Sequence, residues 1–320
     1  ICIKGISELE ALSGQKITDI HKHFVDKIEF EKDGKKYKRI PEVLDCWFES
    51  GSMPYSQMHY PFENKEKFEA NFPAEFIAEG LDQTRGWFYT LVVLGVALRG
   101  VSPFKNVIVN GLVLAEDGKK MSKRLKNYPE PSIIFDKYGA DALRFYLMNS
   151  PVVKAEPLRF GERGVEEVVK KVLLPLWNSY SFFVTYANID GWCNPTTPLV
   201  RGALKLSNKL DKWILSELQL LIKEVSEKMD IYDLQKASEP IAGFIDGLTN
   251  WYIRRSRRRF WKSENDSDKM EAYQTLYTVL TTLCKVIAPF MPGIAEEIYR
   301  NLTNSESVHL EIWPEVDEKL

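Results

Sequence analysis

The sequence predicts an α/β segment followed by an all-helical bundle, and three observations carry that prediction. An apolar run, FIAEG at 76–80, leads into the helical stretch GWFYTLVVLGVALRG and then a second strand-like run, NVIVNGLVL at 106–114. After Pro157 apolar residues recur at helical spacing: Leu210, Trp213, Ile214, Leu218, Leu221, Ile222 and Val225, then Ile241, Phe244, Ile245, Leu248, Trp251 and Tyr252. A length of 320 residues, 44% hydrophobic and 28% charged, favours two domains with sizeable cores.

Taken in order, residues 1–40 read as a connector. SELEAL suggests one helical turn, and IEFEKDGKKYKRI alternates about Asp33-Gly34, a good hairpin signal. In residues 41–150 the two strand-like runs joined by a helix imply a right-handed parallel crossover. A further helical pattern follows at Met270, Tyr273, Leu276, Tyr277, Leu280 and Cys284; Pro289 and Pro292 interrupt it and IAEEIYRNL resumes it. From about residue 165 the chain reads as an antiparallel bundle, with GWCNPTTPLVRGA at 191–203 as its most obvious break.

The formal net charge of −2, from 43 basic and 45 acidic residues, excludes a histone-like chain, so any polyanion must meet local clusters. Cys2, Cys46, Cys193 and Cys284 lie far apart beside only four histidines, which predicts neither a zinc site nor a disulfide framework and fits a reducing, cytoplasmic compartment. No apolar run nears the roughly 20 residues of a membrane crossing, and the N-terminus lacks the order of a secretory signal. It begins ICIKGISELEAL, without Met, and reads as a chain entered in the middle.

One local cluster is GKKMSKRLKN at 118–127, with five basic side chains in ten positions. It follows a predicted strand and turns at Asp117-Gly118. Lysines on a glycine-containing loop at a strand's carboxyl end suit a triphosphate, because open α/β sheets bind ligands at that edge. A solvated basic hairpin is the plainer reading of such a string.

The string itself is more specific. Lys120-Met121-Ser122-Lys123-Arg124 resembles the Lys-Met-Ser-Lys-Ser signature of class I aminoacyl-tRNA synthetases. DCWFESGSMPYSQ at 45–57, AEGLDQTRGWFYTL at 78–91, KYGADALRFYL at 137–147 and NWYIRRSRRRFW at 250–261 flank it in the order and spacing of isoleucyl-tRNA synthetases of the eukaryotic cytoplasmic type. The resemblance implies the second half of a Rossmann-like catalytic domain followed by a helical anticodon-binding domain. Residues 1–40 would return from an editing insertion that is absent, 41–164 would carry the catalytic half, and 165–320 the anticodon-binding bundle.

By the same resemblance Lys120 and Lys123 serve catalysis at the phosphates of ATP, with Met121 and Ser122 beside them. Glu79, Gly80, Asp82 and Gln83 match the segment that holds the aminoacyl-adenylate, and Gly111, Leu112 and Val113 match the strand end near the adenine. Trp47 and Trp87 match two tryptophans that line the isoleucine pocket, although Trp by itself is far more often core. Mg²⁺ would accompany ATP. The family's His-Ile-Gly-His signature is missing, and His21-Lys22-His23 does not replace it, so this stretch alone is expected neither to activate isoleucine nor to bind ATP tightly.

Arg254, Arg255, Arg257, Arg258 and Arg259, bracketed by aromatics including Trp261, mix guanidinium groups and rings in a way that suits RNA. The resemblance implies contact with tRNA(Ile), and which arginines touch RNA and which brace the bundle stays open at this point. Asp141 and Arg144 stand three apart on KYGADALRFYL, the spacing of a helix pair. Two other readings share these motifs: a non-catalytic tRNA-binding piece, and a valine-specific relative.

Overall fold

A computed structural model describes residues 1–43, 45–122, 124, 126–194, 207–262 and 266–319. Lys123 and most of the predicted break at 191–203 lie outside the described residues. The chain divides into two compact units, one of residues 1–75 and 83–105, the other of residues 76–82 and 106–320.

The first unit opens with helices α1 (Ile6–Ser13) and α2 (Lys22–Val25) and a hairpin of β1 (Glu29–Lys32) and β2 (Lys35–Lys38). Asp33 and Gly34 sit at φ 53° and 71°, the left-handed pair that a two-residue hairpin turn requires. Short helices α3 (Cys46–Gly51), α4 (Met53–Ser56) and α5 (Lys65–Asn71) follow. Here Tyr60 and Phe72 stack on Phe68, Tyr55 lies tilted against it, and the Arg99 guanidinium lies 5.6–5.9 Å from the Tyr60, Phe68 and Phe72 rings.

Strand β3 (Ala74–Gly80), helix α6 (Trp87–Arg99) and strand β4 (Phe104–Asn110) form the expected strand-helix-strand segment. The Ala74 N–H donates to the Pro103 carbonyl at 2.9 Å, start against start, so the strands run in the same direction. The run at 106–114 is not one strand. It breaks at Gly111, and β5 (Val113–Leu114) pairs instead in parallel with β6 (Leu158–Arg159). The reason is a close backbone crossing: a Cβ on Gly111 would stand 1.9 Å from the Glu156 carbonyl oxygen.

The second unit is mainly helical: α7 (Pro131–Tyr138), α8 (Ala140–Met148), α9 (Glu162–Val168) continuing through a π-turn into α10 (Leu174–Asp190), α11 (Lys209–Asp230), α12 (Leu234–Asp246), α13 (Arg254–Trp261), α14 (Ser267–Ile287) and α15 (Pro292–Thr303). A π-helical segment, Gly247–Ile253, joins α12 to α13 without a loop. The apolar positions read from the sequence meet in one core that includes Ile214, Leu218, Ile222, Val225, Ile241, Tyr252, Tyr273, Leu276 and Leu280. Asp141 and Arg144 do not pair with each other. Asp141 accepts the Gly293 and Ile294 N–H groups at the start of α15, and Arg144 donates to the Pro289 carbonyl, so α8 is fastened to the far end of the chain.

One buried polar knot runs through this core. Arg259, on the inner side of α13, makes two bonds of 2.7 Å to the fully buried Asp211 of α11 and one of 2.9 Å to the Asp268 carbonyl. Tyr252 donates its hydroxyl to the same Asp211 at 2.7 Å. Burial, with the carboxylate beside it, pushes the Tyr252 pKa well above the ordinary phenol value, so the hydroxyl stays a donor. Burial opposes the charged Arg259, but Asp211 outweighs it and holds the guanidinium protonated.

Two outcomes follow for stability. Arg259→Met leaves Asp211 buried and unpaired and should cost about 3–5 kcal/mol in urea unfolding of the helical unit, whereas adding Asp211→Leu should recover a large part of the loss. Gly111→Ala must push back the Glu156 backbone and should lower stability by about 1–3 kcal/mol, read as a fall in melting temperature.

Candidate active site and nucleic-acid interface

The expected site residues fall in both compact units, and each group is built by local structure. In the first unit Asp45 caps α3 by accepting the Trp47 N–H at 3.1 Å. Gly51 lets α6 come close, since a Cβ there would stand 2.9 Å from the Thr90 carbonyl oxygen. Trp87 donates its indole N–H to the Ser50 carbonyl at 3.0 Å, and the Gln83 side-chain oxygen accepts the Trp87 backbone N–H at 2.9 Å. The Trp47 ring edge lies 3.0 Å from where a Cβ on Gly86 would be. Trp47 and Trp87 therefore converge on the start of α6. Gln83, read from the sequence as an adenylate contact, engages its oxygen as a helix cap.

In the second unit Glu79 and Gly80 end β3 and Asp82 stands in the 3₁₀ turn Leu81–Arg85, with Glu79 and Asp82 exposed. Gly111 donates its N–H to the Val152 carbonyl at 2.7 Å, and Leu112 and Val113 are exposed beside it. The basic loop rises directly from β5. Ala115 donates to the Lys119 carbonyl and Gly118 to the Ala115 carbonyl, and Leu114 bridges to Lys120, so residues 114–120 form a tight hairpin. Gly118 takes φ 81°, with the Arg159 guanidinium pressed against it. Lys119 turns back to Asp117 at 3.2 Å, whereas Lys120 is exposed. Met121 packs beneath the loop against a small core of Ile134, Ala142, Phe160 and Val165. Lysine at 120 on a braced, exposed hairpin can offer an ammonium to a phosphate.

Two residues here escaped the sequence reading. Asn127 bonds both to Ser122 and to Lys120, and Arg159 supports the turn. Asn127 closes the quoted basic stretch, yet nothing in spacing marks its side chain as a brace.

The arginine run is sorted by the helix it forms. Arg254, Arg255, Arg257 and Arg258 are exposed, as are Trp251 and Trp261, and the Arg255 guanidinium lies 4.4 Å from the Trp251 ring centroid. Arg259, expected with them as an RNA contact, is instead buried and held by Asp211, so it belongs to the core. The outer face offers four cations and two aromatic platforms. Among the described residues no group of three or more His, Cys, Asp or Glu side chains is placed to hold a metal ion, and no helix is long and apolar enough to cross a membrane.

Comparison with known proteins finds matches for two segments of the chain. Residues 2–159 match the family of class I tRNA synthetases (I, L, M and V), and residues 211–320 match the anticodon-binding domain of tRNA ligases. The chain is similar to isoleucine–tRNA ligase of Treponema denticola, 57% identical over all of the chain, and to that of Chlamydia trachomatis serovar D, 58% identical over 99% of it. It spans about 30% of the length of these relatives. Both are bacterial, which corrects the expectation of a eukaryotic cytoplasmic type. Among solved structures the chain is similar to LeuRS of Agrobacterium radiobacter K84 in a ternary complex with tRNA and LeuAMS, with TM-score 0.71 and 20% identity over 92% of this chain and 35% of that one. Methionyl-tRNA synthetase of Mycobacterium tuberculosis bound by methionyl-adenylate gives TM-score 0.64 and 19% identity over 82% of this chain and 51% of that one. Residues 2–159 thus belong with the class I tRNA synthetases, and residues 211–320 with the anticodon-binding domains of tRNA ligases.

Proposed function

We propose that this chain is the loop-bearing part of the catalytic domain, with the anticodon-binding domain, of an enzyme that joins isoleucine to tRNA(Ile) at the expense of ATP. In this reading residues 1–40 are a connector, 41–164 belong to the catalytic domain and 165–320 bind tRNA. The observation that carries it is the braced hairpin that leaves Lys120 exposed while Met121 anchors the loop. The amino-acid carboxylate would attack the α-phosphate, pyrophosphate would leave, and a ribose hydroxyl of the terminal adenosine would then take the acyl group. No covalent enzyme intermediate is needed; positioning and charge stabilisation do the catalysis.

Lys120, with Lys123, would meet the charge that develops on the departing pyrophosphate. Glu79, Gly80 and Asp82 would lie along the adenylate, Gly111 to Val113 along the adenine, and Trp47 and Trp87 would form the wall that a branched aliphatic side chain needs. Mg²⁺ would arrive with ATP; the described residues offer it no ligand cluster, and no step is assigned to it. The exposed Arg254, Arg255, Arg257, Arg258 and Trp261 would face tRNA. A cytoplasmic location follows from this reading as a translation enzyme.

Isoleucine-dependent ATP–pyrophosphate exchange by the full-length ligase carrying this sequence tests the reading. Lys120→Ala should lower the exchange rate on the order of tenfold to a hundredfold, the worth of one charge-assisted hydrogen bond. Unchanged exchange in that variant, or exchange driven better by valine than by isoleucine, contradicts it.

A further inference from the structure

The side-chain amide of Asn127 does what a neighbouring strand would do. Its Oδ1 accepts the Ser122 N–H at 2.9 Å, and its Nδ2 donates to the Lys120 carbonyl at 3.2 Å. In an extended segment the C=O of one residue and the N–H two residues later point to the same side, and a partner strand answers both. A carboxamide carries the same acceptor and donor on one rigid plane. Asn127 thus pairs with residues 120–122 as a strand would.

Extended backbone sends alternate side chains to opposite faces. Met121 packs against the core of Ile134, Ala142, Phe160 and Val165, whereas Lys120 is exposed. The Leu114 bridge holds Lys120 from before, and Lys126, at φ 47°, closes the turn behind by donating its N–H to the Ser122 carbonyl at 3.0 Å. Without the amide, the bond from Asn127 that fixes the Lys120 carbonyl is gone, and the direction of the lysine side chain loosens with it.

We propose that Asn127 is a positioning residue for adenylate formation: its amide fixes the backbone on both sides of Met121 and so aims the Lys120 ammonium at a phosphate. The proposal rests on the reading of this loop as phosphate-binding. It also separates the two half-reactions, because transfer of isoleucine from a finished adenylate involves no departing pyrophosphate.

The test uses the full-length ligase with Asn127→Ala, which removes both bonds, and Asn127→Asp, which keeps the size but sets an oxygen against the Lys120 carbonyl. Both should lower kcat for isoleucine-dependent ATP–pyrophosphate exchange on the order of tenfold to a hundredfold, as misplaced catalytic groups do. KM for isoleucine and the single-turnover transfer rate from preformed isoleucyl-adenylate should stay at wild-type values. If the alanine variant fails to fold, the aspartate variant, equal in size, carries the test. Wild-type exchange in an Asn127 variant, while Lys120→Ala is impaired, overturns this inference alone. Equal losses in exchange and transfer also overturn it, because they mark a general structural role. Wild-type exchange in Lys120→Ala overturns the loop reading and this inference together.

Discussion

The contact between Arg259 and Asp211 decides how the helical unit presents itself. Its two parallel 2.7 Å bonds and the Tyr252 hydroxyl occupy a carboxylate with no solvent exposure, and Asp268 adds a carbonyl from the start of α14. Helices α11, α13 and α14 are thereby tied at one buried point. Removing water from such a group is costly unless its lone pairs are met, and here they are. The knot also sets the rotation of α13 about its axis. With Arg259 turned inward, Arg254, Arg255, Arg257 and Arg258 are left exposed, so one buried charge pair orients the four cations proposed to meet RNA.

The catalytic segment relies on backbone closeness rather than on buried charge. Gly111 admits the Glu156 backbone, which ends β4 and lets β5 start a new pairing with β6. The hairpin that carries Lys120 springs directly from the end of β5, with Met121 as its foot and Asn127 as its clasp. In the first unit Gly51 and Gly86 do similar work, allowing α3 to reach α6 and the Trp47 ring to reach the helix start. The site is shaped by where a Cβ is missing.

The class of each segment was legible because periodicity is local: strand-helix-strand in the first part, and apolar stripes such as Leu210 to Val225 in the second, need only a few neighbouring residues to declare themselves. The hairpin at Asp33-Gly34 declared itself for the same reason. What escaped depends on contacts across long separations. The break at Gly111 is imposed by Glu156, 45 residues on, and Asp141 and Arg144 looked like a pair because their partners at Gly293 and Pro289 lie some 150 residues away. Arg259 was grouped with its four neighbours because a run of arginines carries no mark of the one that meets a buried aspartate 48 positions earlier. The bond that Gln83 accepts from the Trp87 backbone N–H was likewise not visible in the sequence. The basic loop was found by its signature, while its brace at Asn127 is visible only in three dimensions.

The central claim is that the arginines of α13 have two separate roles, an outer set for a polyanion and an inner one for the fold. The salt dependence of binding between the full-length protein and the tRNA(Ile) proposed as its partner tests it most directly. Replacing Arg257 and Arg258 with Ala should flatten the slope of log affinity against log salt by on the order of one to two, since each phosphate contact contributes roughly 0.7–0.9. Replacing the inner pair by a charge-free one, Arg259→Met with Asp211→Leu, should leave the slope as it was. A slope unmoved by the outer pair, or flattened by the inner one, would contradict the account.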